Sequence, residues 1–339
     1  MGIVFEHCTV IGEANYVSLY SGILQASVMQ FFKFATIVFF IIGGFLINHK
    51  FTEYTPGEYI KNRLKSTIGP WFFWLNMYVF VNIGSLLYRK YLIYHGDYDM
   101  PDHFFKFIGQ QYYELILFSS YWFILNFLIC ICILLLFKRY IYSIYFGMAL
   151  ALISLFYSFN LYHGWVYTSH TTALFGFVFY LWLGVLINKH YNDVNRFIKR
   201  KSLWYFIGST ALFFLLGDAE TLYLKSLGIN DAYNTLRITN VLYSLSFFFL
   251  LLKIGPISVI NSYLRPRATT FGIYLVHQVI LANLLLEVFR PFKIHTEDLT
   301  LFNGIYYSIS RFLVAYLASM VLVFAIQKTN FRWSIGISK

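Results

Sequence analysis

Charge is scarce in this chain. Only 12% of its 339 residues are Asp, Glu, Lys or Arg, about half the share of an average soluble domain. A soluble fold of this length cannot hide so much apolar surface, so that class is excluded. Cysteine is also sparse. Cys8, Cys130 and Cys132 all lie inside apolar runs, at spacings that give neither a disulfide framework nor a zinc site. There is no low-complexity segment, soluble appendage or cleavable signal pattern. Walker loops, Gly-x-Ser-x-Gly elbows and dinucleotide glycine motifs are absent too, so no soluble-enzyme signature competes.

What the chain has is apolar length. Hydrophobic residues make up 59% and aromatics 22%. The apolar runs reach roughly 17 to 25 residues, enough to cross a hydrocarbon core of about 30 Å. Lipid offers backbone amides no partner, so such runs must be helices or strands of a closed barrel. Barrel strands alternate apolar and polar residues, and these runs are continuous. The expected architecture is an all-α polytopic membrane helix bundle forming a single integral domain over 1–339. About ten transmembrane helices are expected, near residues 1–14, 29–48, 69–88, 118–137, 141–158, 171–188, 203–217, 237–252, 269–288 and 305–327.

Loop cations set the orientation. One alternate set of loops holds Lys50, Lys61, Arg63, Lys65, Lys138, Arg139, Lys189, Arg196, Lys199, Arg200, Lys201, Lys253, Arg265, Arg267, Lys328, Arg332 and Lys339. The opposite set holds fewer: Arg89, Lys90, Lys106, Lys225, Arg237, Arg290 and Lys293. The bias places both termini in the cytoplasm. It also accounts for the net charge of +11, so nucleic acid is not an expected partner. Membrane lipid is. Asp97, Asp99, Asp102, Asp218, Glu220 and Asp231 are assigned to outer loops. The first span is short. Met1 to Gly12 covers only about 18 Å as a helix, and Glu6 and Glu13 interrupt it, so a piece of helix upstream of Met1 is expected.

Ionisable groups inside a bilayer are costly and mark function or buried pairing. Here they are Glu6, His7, Lys33, His277 and Arg311, with Glu13 and Glu114 near boundaries. His7 can act as a base or bond a neighbouring helix. Glu6 adjoins it, but helical neighbours point about 100° apart, so Glu6 is a candidate partner for Lys33 or Arg311. His277 reads first as a packing histidine and second as a catalytic one. Arg63 and Lys65, with Lys61, suit phosphate binding as well as plain positive-inside charge. The paired Gly43-Gly44 beside these cations is where a charged donor is expected to meet the bilayer. His163 and His170 form the one candidate metal pair; no third ligand accompanies them, and no metal is expected.

Five stretches resemble, in order, the acyltransferase 3 family of bacterial membrane acyltransferases. Ile3-Val4-Phe5-Glu6-His7 resembles its first-helix segment, which ends in an essential histidine. Phe31 through Ile47 resembles its second helix, with Gly43 where serine is usual. Tyr59-Ile60-Lys61-Asn62-Arg63-Leu64-Lys65 and Pro70 resemble its basic loop, with Ser66 where a second arginine belongs. Tyr121-Trp122-Phe123-Ile124-Leu125 and Phe271 through His277 resemble two later helices. The likeness covers nearly the whole chain. It implies a ten-helix O-acyltransferase of the bacterial inner membrane. Such an enzyme moves an acyl group, commonly acetyl, from cytoplasmic acyl-CoA to a hydroxyl of a surface polysaccharide or lipid-linked glycan. By the same resemblance His7 is the catalytic base, Arg63 holds the coenzyme phosphates with Lys65 and Lys61, and Glu6, Lys33, Arg311 and His277 are supporting candidates. The family also places an arginine upstream of the histidine, at a position that here precedes Met1. The alternative from composition alone is a multi-pass transporter of a polar solute or lipid-linked sugar. The identity of the sugar, the acyl length and the oligomeric state stay open.

Overall fold

The computed structural model describes residues 1–11, 18–93, 103–167, 173–296 and 299–337. Among these residues every regular element is helical. The longer elements are α1 (Gly2–Cys8), α2 (Leu19–Phe32), α3 (Phe34–Ile47), α4 (Pro56–Ile93), α5 (Phe104–Leu117), α6 (Trp122–Leu136), α7 (Ile144–His163), α8 (Leu174–Lys189), α9 (Tyr191–Arg200), α10 (Leu203–Ser226), α11 (Ile238–Ile254), α12 (Pro266–Phe292) and α13 (Leu301–Gln327). By length and composition, five spans of the described residues can cross a membrane, or seven if each bent pair counts as one. The chain is a multi-pass membrane protein. Glu13, Asp97, Asp99, Asp102 and His170 lie outside the described residues.

Several sequence boundaries shift, each for a local reason. The expected basic loop after the second span is helix. Thr55 and Glu58 form a capping box, in which the Thr55 hydroxyl accepts from the Glu58 amide and the Glu58 carboxylate accepts from the Thr55 amide, with Pro56 in the first turn. That cap starts α4 ahead of Lys61, Arg63 and Lys65. Pro70 has no N–H for the Ser66 carbonyl, and its ring crowds that carbonyl. The chain answers with a wide turn at Leu64–Ile68, where the Gly69 amide bonds the Leu64 carbonyl.

The second span begins at Leu19 rather than 29 and breaks at Lys33. The seventh is not short: α10 runs 24 residues to Ser226, which puts Asp218, Glu220 and Lys225 on a helix instead of an outer loop. The expected inner loop at 189–201 is α9, turned 85° from α8.

Gly43 and Gly44 also differ from expectation. A Cβ on Gly44 would run into the Leu181 carbonyl, and one on Gly184 into the Ile41 carbonyl. These glycines allow the close crossing of α3 and α8, as small residues do where lipid removes the hydrophobic drive between helices. They are packing elements buried in the core.

Across the bundle, α10 and α11 bury a polar knot. Arg237 is wholly buried and donates to the Gly217 carbonyl at 2.9 Å, to Gln30 at 2.5 Å and to the Thr221 hydroxyl. Glu220 accepts from Tyr162 and from the Thr239 amide and hydroxyl. A buried charge needs this degree of satisfaction.

Candidate functional site

The first helix positions His7. α1 packs on α13 through Phe5 and Phe312, whose rings lie 5.5 Å apart, and the Val10 amide donates to the Ser308 hydroxyl at 3.2 Å. Gly2 lies where a Cβ would press on Ala35, which draws α1 against α3. Glu6 then reaches Lys33 at the α2–α3 break and forms an ion pair with it. Lys33 is one of the two partners left open by the sequence. The pair neutralises a cation that would cost about 2.5–3.5 kcal/mol at a helix centre.

His7 is accessible on its surface, while His277 is 0% exposed. Their ring centroids lie 5.9 Å apart. The His277 Nδ1 sits 2.6 Å from the Tyr274 carbonyl. A carbonyl only accepts, so Nδ1 carries the proton and Nε2 presents a lone pair. That Nε2 is buried and has no hydrogen-bond partner, an exception to the usual satisfaction of buried polar atoms.

The backbone around His277 is tied to the bend between α5 and α6, where the two helices meet at 56°. The Tyr121 hydroxyl donates to the Leu275 carbonyl at 2.5 Å, the Tyr274 hydroxyl to the Ser120 carbonyl, and the Ser120 hydroxyl to Gln278 at 3.1 Å. One turn further on, α12 widens at Ile280–Leu284, a form of helix common at functional sites.

Two cavities flank this histidine pair. One, of about 160 Å³, is lined by Tyr59, Arg63 and Thr67 of α4, Phe271 and Tyr274 of α12, and apolar residues of α3 and α6 such as Phe39 and Phe127. Arg63 stacks over the Tyr59 ring at 5.0 Å. Lys61 and Lys65 are exposed outside this lining. The second cavity, of about 570 Å³, is lined by Arg89, Ile93, Leu285, Leu286, Phe289, Arg290, Lys293, Ile294, His295, Tyr307 and Arg311.

The same two helices line both cavities, so the cavities sit at opposite ends. Arg63 and Arg89 are separated by about 39 Å along α4, near the full thickness of a bilayer with its headgroups. Tyr274 and Leu285 are about 16 Å apart along α12. His277 lies between them on the same helix, one turn past Tyr274.

The structure thus brings together His7, His277 and the Glu6–Lys33 pair, with Arg311 at the second cavity and within electrostatic reach of Cys8 on α1. Neither His7 nor His277 lines the Arg63 cavity, whose α12 wall is Phe271 and Tyr274. His163 stacks on Trp165 at 4.8 Å. Sequence reasoning missed Tyr274, and it missed the gathering of Arg89, Arg290, Lys293 and His295 around Arg311. One available signal was Arg311 itself, a cation inside an apolar run a helix away from Arg290 and Lys293.

Comparison with curated proteins and with solved structures gives no match. Residues 1–327 match the family model of the acyltransferase domain of acyltransferase 3, a stretch that takes in every residue of both cavities, and the chain belongs to that family of membrane acyltransferases.

Proposed function

We propose that this protein transfers an acyl group, most simply acetyl, from cytoplasmic acyl-CoA to a hydroxyl of a cell-surface or lipid-linked carbohydrate in a bacterial inner membrane. The observation that carries the reading is the placement of the His7–His277 pair between two cavities at opposite ends of α4 and α12. In the orientation favoured by the loop cations, with ten spans and both termini inside, the Arg63 cavity opens to the cytoplasm. Its narrow apolar bore suits the slender thioester arm of the donor. The nucleotide phosphates then stay at the mouth with Arg63 and the exposed Lys61 and Lys65.

Acyl transfer follows from general-base chemistry. The acceptor hydroxyl approaches from the Arg311 side and gives its proton to His7 as its oxygen attacks the thioester carbonyl carbon. The C–S bond breaks, and the departing thiolate takes the proton back from the imidazolium. His277, with Nδ1–H held by the Tyr274 carbonyl, offers Nε2 as an acceptor that keeps His7 or the hydroxyl oriented. Lys33 is engaged by Glu6, so Arg311, whose Nε has no partner, is the better placed cation for the developing oxyanion. Tyr274 closes the inner cavity, and its side chain must swing for the thioester to reach the pair.

Mass spectrometry of surface glycans from a deletion strain carrying either the wild type or His7→Ala tests this. An acetyl-sized mass difference should return with the wild type only, at equal membrane abundance. Retained acetylation by the variant removes His7 as base. Solute uptake into vesicles without any acyl donor would instead support the transporter reading.

A further inference from the structure

The Arg89–Arg311 cavity carries far more positive charge than access to a neutral sugar needs. Arg89, Arg290, Lys293, His295 and Arg311 converge on one space of about 570 Å³. Glu287 is the one carboxylate paired with them among the described residues, and it engages Arg290. Arg89, Lys293 and Arg311 meet no carboxylate within ion-pair distance among those residues. Arg311 lies over the Tyr307 ring at 5.5 Å, and its Nε is buried without a hydrogen-bond partner. Lys293 holds a left-handed backbone, φ 48°, a conformation a non-glycine residue seldom adopts. Guanidinium and ammonium groups that meet no carboxylate among the described residues keep their donors open to an anionic ligand.

The cavity also has an apolar side. Leu285, Leu286 and Phe289 of α12 form a wall beside the cations. A ligand that fits therefore has a compact, multiply charged anion joined to a less polar body. Two guanidinium groups and an ammonium match a phosphate better than a single carboxylate, because arginine forks bind its oxygens in pairs.

We infer that the Arg89–Lys293–Arg311 cavity is a binding site for a phosphate ester, and that the acyl acceptor is a phosphate-bearing glycan held there with its hydroxyl directed toward His7. The second half rests on the acyl-transfer reading above; the first half does not. A phospholipid headgroup shares the same phosphate chemistry, so the experiment separates the two sources.

The test is binding by the full-length protein in detergent, in the absence of CoA. Glucose 1-phosphate, inorganic phosphate and glucose are the soluble probes, titrated by calorimetry. Retained phosphatidylglycerol is counted by native mass spectrometry after release from nanodiscs. The variants are Arg89→Gln, Lys293→Gln and the double variant. Glucose 1-phosphate should bind in a salt-sensitive manner, inorganic phosphate should compete, and glucose should not bind. Loss of two charge-assisted contacts should weaken binding by about tenfold or more.

His7→Ala should leave this binding unchanged, so failure of the base assignment and failure of the phosphate site give different results. Phosphatidylglycerol retention that depends on Arg89 and Lys293, without glucose 1-phosphate binding, supports the phosphate site but overturns the glycan assignment. Equal binding of glucose and glucose 1-phosphate, or affinity for every phosphate probe unchanged in the double variant, overturns the site itself.

Discussion

Replacing His277 with leucine should separate activity from stability. The side chain is fully buried, and its Nδ1–H donates to the Tyr274 carbonyl at 2.6 Å. Losing such a bond costs about 0.5–1.5 kcal/mol. The Tyr274 carbonyl keeps its place in the helix, so it is not stranded. Against that loss, the substitution removes a buried Nε2 with no partner, a feature that costs about 1–3 kcal/mol to maintain. Leucine is close in volume and suits the apolar walls of α12. The sum is near zero or slightly favourable, so the melting temperature of the purified protein should hold or rise. Activity should behave differently. If Nε2 orients His7 or the acceptor hydroxyl, its loss removes part of a general-base contribution worth about 10²–10⁴-fold. The assay is CoA thiol release in proteoliposomes supplied with acceptor, set beside thermal unfolding followed by tryptophan fluorescence. A His277→Leu protein that unfolds well below the wild type, with residual activity tracking the folded fraction, would refute the argument and make His277 a packing residue.

Three further outcomes follow from the geometry. Arg63→Gln should raise the KM for acyl-CoA by about tenfold, as expected for one charge-assisted phosphate contact, whereas Lys61→Gln or Lys65→Gln should change it far less; initial rates over a donor series decide this. Gly44→Leu should abolish membrane accumulation, since its side chain would strike the Leu181 backbone and overpacking there exceeds the usual 1–3 kcal/mol, while Gly84→Ala, which meets nothing within 4 Å, should gain about 0.5–1 kcal/mol; both are read by detergent-solubilised yield and melting temperature. Glu6→Gln should destabilise the bundle by several kcal/mol by leaving Lys33 charged and buried, and the double variant with Lys33→Met should recover most of that loss in a double-mutant cycle.

Much of this was legible in the residues. Continuous apolar runs declare helices, and the intramembrane ionisable residues are the ones the structure draws together: Glu6 with Lys33, and His7 with His277. Helix ends were less legible. Hydropathy falls at Asp218 and Glu220, which reads as the end of a span, yet α10 continues because Tyr162 and Thr239 hydrogen-bond Glu220 and Ser27 hydrogen-bonds Asp218, with the Arg237 charge within electrostatic reach of both. That compensation comes from residues far away in the chain, and no local window can register it. The start of α4 was different: Thr55-Pro56-Gly57-Glu58 is a readable cap, and it already implied that Arg63 sits on a helix. Gly43-Gly44 gave a true signal with two meanings. Paired glycines mark close approach, and only the partner, Gly184 on α8, tells whether a ligand or a helix is what approaches.

The cations of this bundle fall into two kinds, and the division bears on mechanism. Lys33 and Arg237 are closed: each meets its counter-group or acceptors inside the core, and each holds helices in register. Arg63 and Arg311 are open, one at each cavity, stacked on Tyr59 and Tyr307 respectively. An aromatic face steadies a guanidinium without neutralising it, so its donors stay available to a ligand. Other unpartnered buried atoms exist among the described residues, Asp218 Oδ1 and His277 Nε2 among them, but their residues line neither cavity. The acyl-transfer proposal, with two polar substrates arriving from opposite sides of the bilayer, draws on this pattern: charges committed to the scaffold in the middle, charges held in reserve at both ends, and an imidazole between them to act as the base.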